Sequence, residues 1–314
     1  MENYQEIFKP VFEKLGFTPS KTFRNGPRFF VVGGEYQGQK AIFKADVEDP
    51  ADENRRALMK LRREAAFLEC GDLSHIPGFF AKGDREEFFW LLEEWVPGES
   101  QEVGEGTFLI KDSFFTPKNM EYCLEFLAVL AELPERNSTP KFQDFKEKFA
   151  KRYTLKDYSS LIASDKESLV GEELLGRIDA FIDQRHELFD SHQTVIAHHE
   201  FYAPHIFVNG GKLNVIDWEN VGWGNPAYDF TELWIRSFQY PDFQREILER
   251  FRAAKSDKEA FDQLFSLEII LQGLGNLKYF ETTEIPEEKK AAEELRTFIR
   301  EWIARVLTQN GQVN

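Results

Sequence analysis

The chain has 314 residues, 42% of them hydrophobic, and a formal net charge of −16. This length and composition predict a folded protein of two lobes or two small domains, and they exclude a wholly disordered chain. The acidic charge excludes nucleic-acid backbone binding as a main role, but it is compatible with a small cationic substrate.

Targeting and redox signals are weak in this sequence. The N-terminal residues form no apolar signal core, and no apolar run approaches the length of a membrane helix. Cys70 and Cys123 lie in apolar helical contexts and give neither a disulfide framework nor a zinc pattern. We therefore expect two buried thiols and a soluble, cytoplasmic protein without a membrane partner.

The first hundred residues are rich in predicted strands. A helix at 3–15 precedes a strand at 17–23, a basic turn, and a hairpin in which FFVVG and KAIFKA flank the turn GEYQGQ. After a helix at about 51–69, IPGFFAKGD and EEFFWLLEEWVPG predict two more strands, which end at a Pro-Gly break. The pattern predicts a five-stranded antiparallel sheet with one inserted helix. We place the lobe boundary at this break, giving lobes of residues 1–96 and 97–314.

A lysine and a glutamate stand out in this first lobe. Lys44 ends the apolar strand IFK, and Glu64 lies on the buried stripe of the following helix. An unpaired buried charge is very costly, so Lys44 is a candidate partner for Glu64. The alternative is that Lys44 extends to the surface and Glu64 lies in water at the edge of the stripe.

The second lobe is predicted to be mainly helical. The stretch 137–170 has weaker patterning and predicts helix pieces joined by loops. Stronger periodicity predicts later helices at 226–239, 242–254, 257–280 and 287–308.

The sequence IFV-NGG-KLNVID predicts a hairpin in this lobe. Asn209-Gly210 is its turn signal, because both turn positions need positive φ. Leu213, Val215 and Asp217 share one face of the second strand, since side chains alternate. An acid at the end of an apolar strand favours a chemical role over packing.

Histidines cluster just before the hairpin, where His198, His199 and Glu200 are followed by His205. A transition-metal site is one interpretation, but the spacing is not HExxH and a loop offers no fixed face for two ligands. The alternative is that His198 makes a hydrogen bond that braces the backbone and that His199 is exposed.

Together these features resemble the aminoglycoside phosphotransferase and choline kinase family, which has a protein-kinase-like fold. The resemblance covers roughly residues 17–240 and is most specific in NVIDWENVGWGNPAYDF, while LLEEWVPGE resembles the family's hinge. It implies an α+β, bilobal fold with an antiparallel N-terminal sheet lobe carrying one helix and a mainly helical C-terminal lobe.

The resemblance also implies roles in nucleotide binding. Lys44 would contact the α- and β-phosphates of ATP and pair with Glu64. The phosphate-covering loop would lie near Gly26, the single glycine in that turn. The adenine would be held by the backbone of the hinge residues Glu94, Trp95 and Val96.

In the second lobe the resemblance implies a metal site and a braced catalytic loop. Asp217 would bind the Mg²⁺ that bridges the phosphates, and Asp229 would brace the loop. His198 and Glu200 match the family's catalytic His-Gly-Asp loop, but Glu200 stands where the catalytic Asp belongs. His205 stands where an Asn, the second metal ligand, belongs.

These two substitutions affect the chemistry. Glu200 can accept a hydroxyl proton as Asp does, but it is one methylene longer, and a misplacement of about 1 Å can cost about a hundredfold in rate. The imidazole of His205 suits Mn²⁺ or softer metals better than it suits Mg²⁺.

Two functions therefore remain. The first is an ATP-dependent phosphotransferase that moves the γ-phosphoryl group to a hydroxyl of a small molecule. The alternative is a pseudokinase that binds nucleotide or a partner with little or no transfer. The acceptor is not identified, because fold does not fix function.

Overall fold

A computed structural model describes residues 3–49, 51–52, 55–71, 73–85, 87–104, 107–150, 154–155 and 169–310. Packing divides the chain into two compact units. The first unit consists of Met1–Gly98, Asn137–Ala150 and Asn214–Val221, and the second consists of Glu99–Arg136, Lys151–Leu213 and Gly222–Asn314. The fold is α+β, as predicted, with an antiparallel sheet toward the N-terminus and mainly helices toward the C-terminus.

The first unit contains the predicted five-stranded sheet. Helix α1 (Tyr4–Leu15) precedes strands β1 (Phe17–Asn25), β2 (Phe29–Tyr36), β3 (Gln39–Asp46), β4 (Phe79–Arg85) and β5 (Phe88–Glu94). Their order in the sheet is β1-β2-β3-β5-β4, and each neighbouring pair is antiparallel. The inserted helix α2 (Arg56–Leu68) begins five residues later than predicted.

The hairpin between β2 and β3 turns more tightly than predicted. Its strands extend into the predicted turn GEYQGQ, so that only Gln37 and Gly38 lie between them. These two residues have φ values of 51° and 78°. A two-residue hairpin with positive φ at both positions follows the twist of the strands, which explains the longer ladder.

The two faces of this sheet differ in chemistry. On one face, rings of Phe8 and Phe12 from α1 pack on Phe43 of β3, with centroids 5.3 and 4.9 Å away. On the opposite face, the register aligns Val31, Lys44 and Leu91 and, two residues along, Gly33, Ile42 and Glu93. Alternation along the strands therefore separates the aromatic core from a face that carries charged residues.

Residues 214–221 belong to the first unit because they pack on α2. The Phe67 ring of α2 lies 4.7 Å from Trp218 and 5.2 Å from Phe145 of α4 (Pro140–Lys148). The Val215 N–H donates to the His75 carbonyl at 2.8 Å. Helix α4 covers part of the weakly patterned stretch 137–170, while residues 151–153 and 156–168 of that stretch lie outside the described residues.

The second unit is mainly helical, as predicted. Its long early helix is α3 (Pro117–Arg136), and its later helices match the predicted ones to within a few residues. The helices after α3 and α4 are α5 (Glu172–Asp183), α6 (His186–Ser191), α7 (Tyr228–Arg236), α8 (Pro241–Ala253), α9 (Lys258–Thr282) and α10 (Pro286–Asn310). In its core the Phe230 ring stacks on Phe251 and packs at a tilt against Phe265.

Short strands position the loop that precedes the hairpin. Strand β7 (Val195–Ala197) pairs with β10 (Gly222–Gly224), and a three-stranded sheet has the order β6 (Glu99–Ser100), β8 (Ile206–Asn209), β9 (Lys212–Val215). The predicted hairpin is confirmed, but its turn residues are Gly210 and Gly211, with φ values of 57° and 88°. Two glycines adopt positive φ without a Cβ penalty, so Asn209 remains in the strand.

Cys70 and Cys123 are buried, as predicted. None of the helices within the described residues is both long enough and apolar enough to cross a membrane.

Candidate active site

A buried ion cluster is centred on Lys44 in the first unit. The Lys44 Nζ lies 2.7 Å from Glu64 Oε1 and 2.9 Å from Glu93 Oε1. The side chains of Glu64 and Glu93 are 1% and 4% exposed, so both carboxylates depend on protein partners. The predicted pair of Lys44 and Glu64 is confirmed, and the alternative with Lys44 at the surface is wrong.

Glu93 was not among the site residues predicted from the sequence. Its position two residues after Leu91, in an apolar strand, was a usable signal, because alternation places both residues on the Lys44 face. A carboxylate on that face needs a cation for the same reason as Glu64 does.

Asp217 belongs to the same cluster. It follows β9 with a φ of 68°, and the N–H of the next residue, Trp218, donates to Glu64 Oε1 at 3.1 Å. Glu64 therefore binds both Lys44 and the backbone beside Asp217. Burial lowers the pKa of Lys44, but the charges of Glu64, Glu93 and Asp217 outweigh burial and hold it well above its ordinary value.

This cluster contains three carboxylates and one ammonium group, so its negative charges outnumber its positive charge. Burial raises the pKa of Glu64 to about 8, and the charges of Glu93 and Asp217 add to this effect while Lys44 opposes it. Within the described part of the chain, Glu93 Oε2 is buried without a hydrogen-bond partner. Carboxylate oxygens are the ligands that Mg²⁺ prefers, and a divalent cation would offset the excess charge, so the Asp217 carboxylate fits one ligand position of such an ion.

The hinge and the glycine turn have well-defined backbones. The N–H groups of Glu94 and Trp95 donate to the carbonyls of Gly78 and Lys40, at 2.8 and 3.1 Å. A Cβ on Gly33 would lie 2.5 Å from the Trp95 ring, so glycine lets the indole lie against the sheet. The predicted adenine contacts by the backbone of Glu94, Trp95 and Val96 stay a prediction.

Gly26 lies in the three-residue connection between β1 and β2, as expected for the predicted phosphate-covering loop. Its N–H donates to the Phe29 carbonyl at 3.1 Å, which closes a tight turn. The role of this turn toward phosphate stays a prediction.

Asp229 of α7 holds the histidine loop of the second unit. Its two carboxylate oxygens accept the backbone N–H groups of His198 and His199, at 2.7 and 2.9 Å. Burial raises the pKa of Asp229 to about 7, and these two hydrogen bonds act in the opposite direction. The predicted bracing role of Asp229 is confirmed.

The hydrogen bonds of His198 and His205 assign their ring protons. The Glu200 N–H donates to His198 Nδ1 at 3.2 Å, so the neutral ring of His198 carries its proton on Nε2. His205 Nδ1 lies 3.0 Å from the Glu200 carbonyl oxygen, so it donates there and its Nε2 keeps the lone pair. The bracing hydrogen bond expected of buried His198 is confirmed.

His199 differs from its expected exposure. Its ring is half-buried and meets the Tyr228 ring edge-on, with centroids 4.7 Å apart. Its φ of 69° lies in the left-handed region, which a glycine adopts without strain. The fold therefore keeps a backbone conformation suited to glycine, although a histidine occupies the position.

A pocket of about 320 Å³ lies beside Glu200 within the second unit. Side chains spaced by four residues on α7, Tyr228, Glu232 and Arg236, form one part of its lining. Side chains of α9, including Gln272 and Asn276, form another part. These residues were not predicted from the sequence, although the polar residues at four-residue spacing along the mostly apolar buried face of α9 were a usable signal.

Comparison with known proteins identifies the class of this chain. The profile of the phosphotransferase enzyme family matches residues 25–264. The chain therefore belongs to the phosphotransferase enzyme family, in agreement with the resemblance seen in its sequence. None of the curated proteins matches significantly.

Solved structures share the fold over nearly the whole chain. A thermostable mutant of aminoglycoside phosphotransferase APH(4)-Ia, in ternary complex with AMP-PNP and hygromycin B, is 11% identical with a TM-score of 0.60 and full coverage of both chains. Amicoumacin kinase hAmiN, in complex with AMP-PNP, Ca²⁺ and Ami, is 13% identical (TM-score 0.59; 96% of this chain and 94% of the other). The microcompartment-associated aminopropanol kinase is 14% identical (TM-score 0.59; 97% and 98%).

Proposed function

We propose that this protein is an ATP-dependent phosphotransferase that moves the γ-phosphoryl group of ATP to a hydroxyl group of a small molecule. The observation that carries the proposal is the buried bond of Lys44 to Glu64, whose carboxylate also binds the backbone beside Asp217. The family membership supports a phosphotransferase, and the AMP-PNP in the complexes of APH(4)-Ia and hAmiN supports ATP as donor. Such an enzyme would draw its ATP from the cytoplasm, where we place it.

On this proposal, the first unit binds the nucleotide. Lys44, held by Glu64 and Glu93, binds the α- and β-phosphates under the Gly26 turn. The adenine of ATP would bind at the hinge through carbonyl oxygens of residues 94–96 and the N–H of Val96, because the N–H groups of residues 94 and 95 already donate within the unit.

Asp217 and His205 are the proposed metal ligands. Mg²⁺ or Mn²⁺, when bound to these two residues, would supply positive charge that offsets the charge of the phosphates. Asp217 offers a carboxylate oxygen, and the bond of His205 Nδ1 to the Glu200 carbonyl assigns the lone pair of that imidazole to Nε2. The mixed oxygen and nitrogen set favours Mn²⁺ more than two oxygen ligands would.

Glu200 is the proposed base. It would hold the acceptor hydroxyl and take its proton as the hydroxyl oxygen bonds to the γ-phosphorus and the bond to the β-phosphate oxygen breaks, releasing ADP. His198 and Asp229 act as positioning residues, since both bind the backbone of the loop that carries Glu200.

The test is ATP turnover by the purified protein over a panel of amino alcohols, sugars and aminoglycosides, with Mg²⁺ and with Mn²⁺. We expect ADP and a phosphorylated acceptor, with a rate that falls about a hundredfold or more in Glu200→Gln and in Lys44→Met. Lys82→Met is the matched control, because Lys82 pairs with Glu69 at the surface of the same unit.

A second result would favour the pseudokinase alternative, which the substitutions at Glu200 and His205 motivate. If the protein binds ATP in a thermal-shift titration but turns over no acceptor with either metal, even after Glu200→Asp, the transferase proposal fails.

A further inference from the structure

A ladder of buried polar side chains runs along α9. Glu268, Gln272 and Asn276 lie four residues apart on one face of a helix whose other buried residues are mostly apolar. None of the three is more than 7% exposed. Because burying polar groups is costly, a polar ladder in such a helix needs partners.

The ladder uses its N–H groups within the protein. Glu268 accepts from the side-chain amides of Asn225, at 2.5 Å, and Gln272, at 2.9 Å. The Gln272 side-chain amide also donates to the main-chain carbonyl of Tyr228. The Asn276 side-chain amide donates to the main-chain carbonyl of Gln272. Because a carboxylate or carbonyl oxygen accepts only from the NH₂ end of an amide, these bonds fix the orientation of the side-chain amides of Gln272 and Asn276.

Two amide oxygens are left over by this arrangement. Among the described residues, Gln272 Oε1 and Asn276 Oδ1 are buried without a hydrogen-bond partner. Both are acceptors, so the groups that would satisfy them are O–H or N–H donors.

Arg236 of α7 is a hydrogen-bond donor, in contrast to the two acceptor oxygens of Gln272 and Asn276. Its Nε donates to Glu232 at 3.0 Å, and its guanidinium lies over the rings of Phe108 and Phe280, 5.1 and 5.3 Å from their centroids. Its Nη1 is also buried without a partner in the described structure. The Glu232 carboxylate neutralises the charge of Arg236. We therefore expect Nη1 to donate to a neutral acceptor oxygen and not to an anion.

The side chains of Gln272, Asn276 and Arg236 all line the pocket beside Glu200. The aromatic residues Phe108, Tyr202 and Tyr279 line it as well, and the Phe108 ring lies 4.5 Å from Tyr202 and 4.8 Å from Tyr279. Its volume of about 320 Å³ corresponds to roughly ten water molecules in the liquid. The pocket therefore combines aromatic walls, two acceptors and one neutralised donor in a small space.

We propose that this pocket takes a single-ring polyol without an anionic group, such as a monosaccharide or an amino sugar, as the phosphoryl acceptor. The inference rests on the proposed function. Ring hydroxyls would donate to Gln272 Oε1 and Asn276 Oδ1 after a small rotation of these side chains, and a ring or hydroxyl oxygen would accept from Arg236 Nη1. Carboxylated sugars are disfavoured by the charge of Glu200, and the Glu232–Arg236 pair, whose charges cancel, does not compensate for it.

The experiment measures binding by calorimetry without nucleotide, and turnover with ATP, for five probes: glucose, glucosamine, glucuronate, ethanolamine and hygromycin B. We expect glucose and glucosamine to bind at least tenfold more tightly than the other three. Replacing either acceptor, in Gln272→Leu or Asn276→Leu, should weaken this binding about tenfold while nucleotide affinity stays close to that of the unsubstituted protein. The melting temperature should fall more for Gln272→Leu, which removes two buried hydrogen bonds, than for Asn276→Leu, which removes one. Gln239→Leu, at an exposed position, is the control.

The outcomes separate this inference from the proposed function. Polyol binding without turnover would retain the pocket assignment and refute the transferase. Turnover restricted to ethanolamine, glucuronate or hygromycin B would retain the transferase and overturn the polyol inference. Absence of polyol binding, or leucine variants that bind glucose and glucosamine unchanged, would overturn it as well.

Discussion

The Lys44 cluster and the histidine loop belong to one proposed reaction, but they are held in different ways. Lys44, Glu64 and Asp217 are linked through charged side chains, and each is the residue type that the family resemblance requires. The loop is held through its backbone, since Asp229 accepts N–H groups and not side chains. A brace of backbone bonds tolerates side-chain replacement, so Glu200 and His205 can depart from the family pattern while the loop keeps its course.

The largest expected effect is the loss of charge at Asp217. Asp217→Asn keeps a residue that tolerates the left-handed backbone, so the substitution removes the carboxylate charge and preserves the fold. We expect kcat for ATP-dependent transfer to fall by about a thousandfold, because electrostatic groups at a transferring phosphoryl contribute on that order. Glu219→Gln, in the same segment, is the control. A loss below about tenfold would show that the Lys44 cluster, to which Asp217 belongs, does not take part in phosphoryl transfer.

A second prediction concerns pH and the acids behind the loop. Asn225 precedes α7 and donates to Glu268, and burial raises the pKa of Glu268 to about 7 from an ordinary value of 4.5. The folded state therefore holds the proton more tightly, so this contribution to stability is present below pH 4.5 and is lost as pH rises through about 7. That shift corresponds to about 3 kcal/mol.

Glu268→Gln should remove this dependence. Urea unfolding at several pH values between 5 and 8 should show the free energy of unfolding falling more steeply for the unsubstituted protein than for the variant. Parallel curves would mean that Glu268 is already ionised at pH 5, and that amide partners stabilise a buried carboxylate as well as a lysine does.

Periodicity predicted most of the fold. The sheet of the first unit and the helices after the hairpin follow from alternating and helical patterns, so they were found to within a few residues. The errors lie at the start of α2 and at two turns, where Gly210 with Gly211, and Gln37 with Gly38, replaced the predicted turn positions. A turn is chosen by the φ of two residues and by the ladder beside it, and a sequence pattern does not show where that ladder ends.

The site was predicted where one residue type implies one partner. Lys44 and Glu64 were found because a carboxylate on a buried stripe needs a cation. Arg236 and Gln272 were missed because their roles depend on which helix faces meet around the pocket, and that is a property of tertiary packing.

A third, smaller effect is expected at His205. His205→Asn restores the residue of the family pattern and replaces an imidazole nitrogen with a hard amide oxygen. We expect the ratio of Mg²⁺-supported to Mn²⁺-supported kcat/KM to rise about tenfold, which is the lower end of the effect that even the residues supporting a metal ligand have on metal affinity. Mn²⁺ affinity measured by electron paramagnetic resonance with AMP-PNP should fall in parallel. His205→Ala, which removes both kinds of ligand, should weaken both metals, and an unchanged ratio in the Asn variant would exclude His205 from the metal site.

The smallest expected effect tests whether the loop keeps a backbone made for glycine. At His199, with a φ of 69°, both His199→Gly and His199→Ala lose the contact with the Tyr228 ring, but only alanine retains the cost of a left-handed backbone. The glycine variant should therefore be more stable than the alanine variant by about 1 kcal/mol in urea unfolding. At Lys290, exposed in α10, the same pair should show the opposite order, because glycine weakens a helix. Equal stability of the two His199 variants would mean that the loop relaxes its backbone once the imidazole is gone, and that the ring, more than the Asp229 brace, sets this conformation.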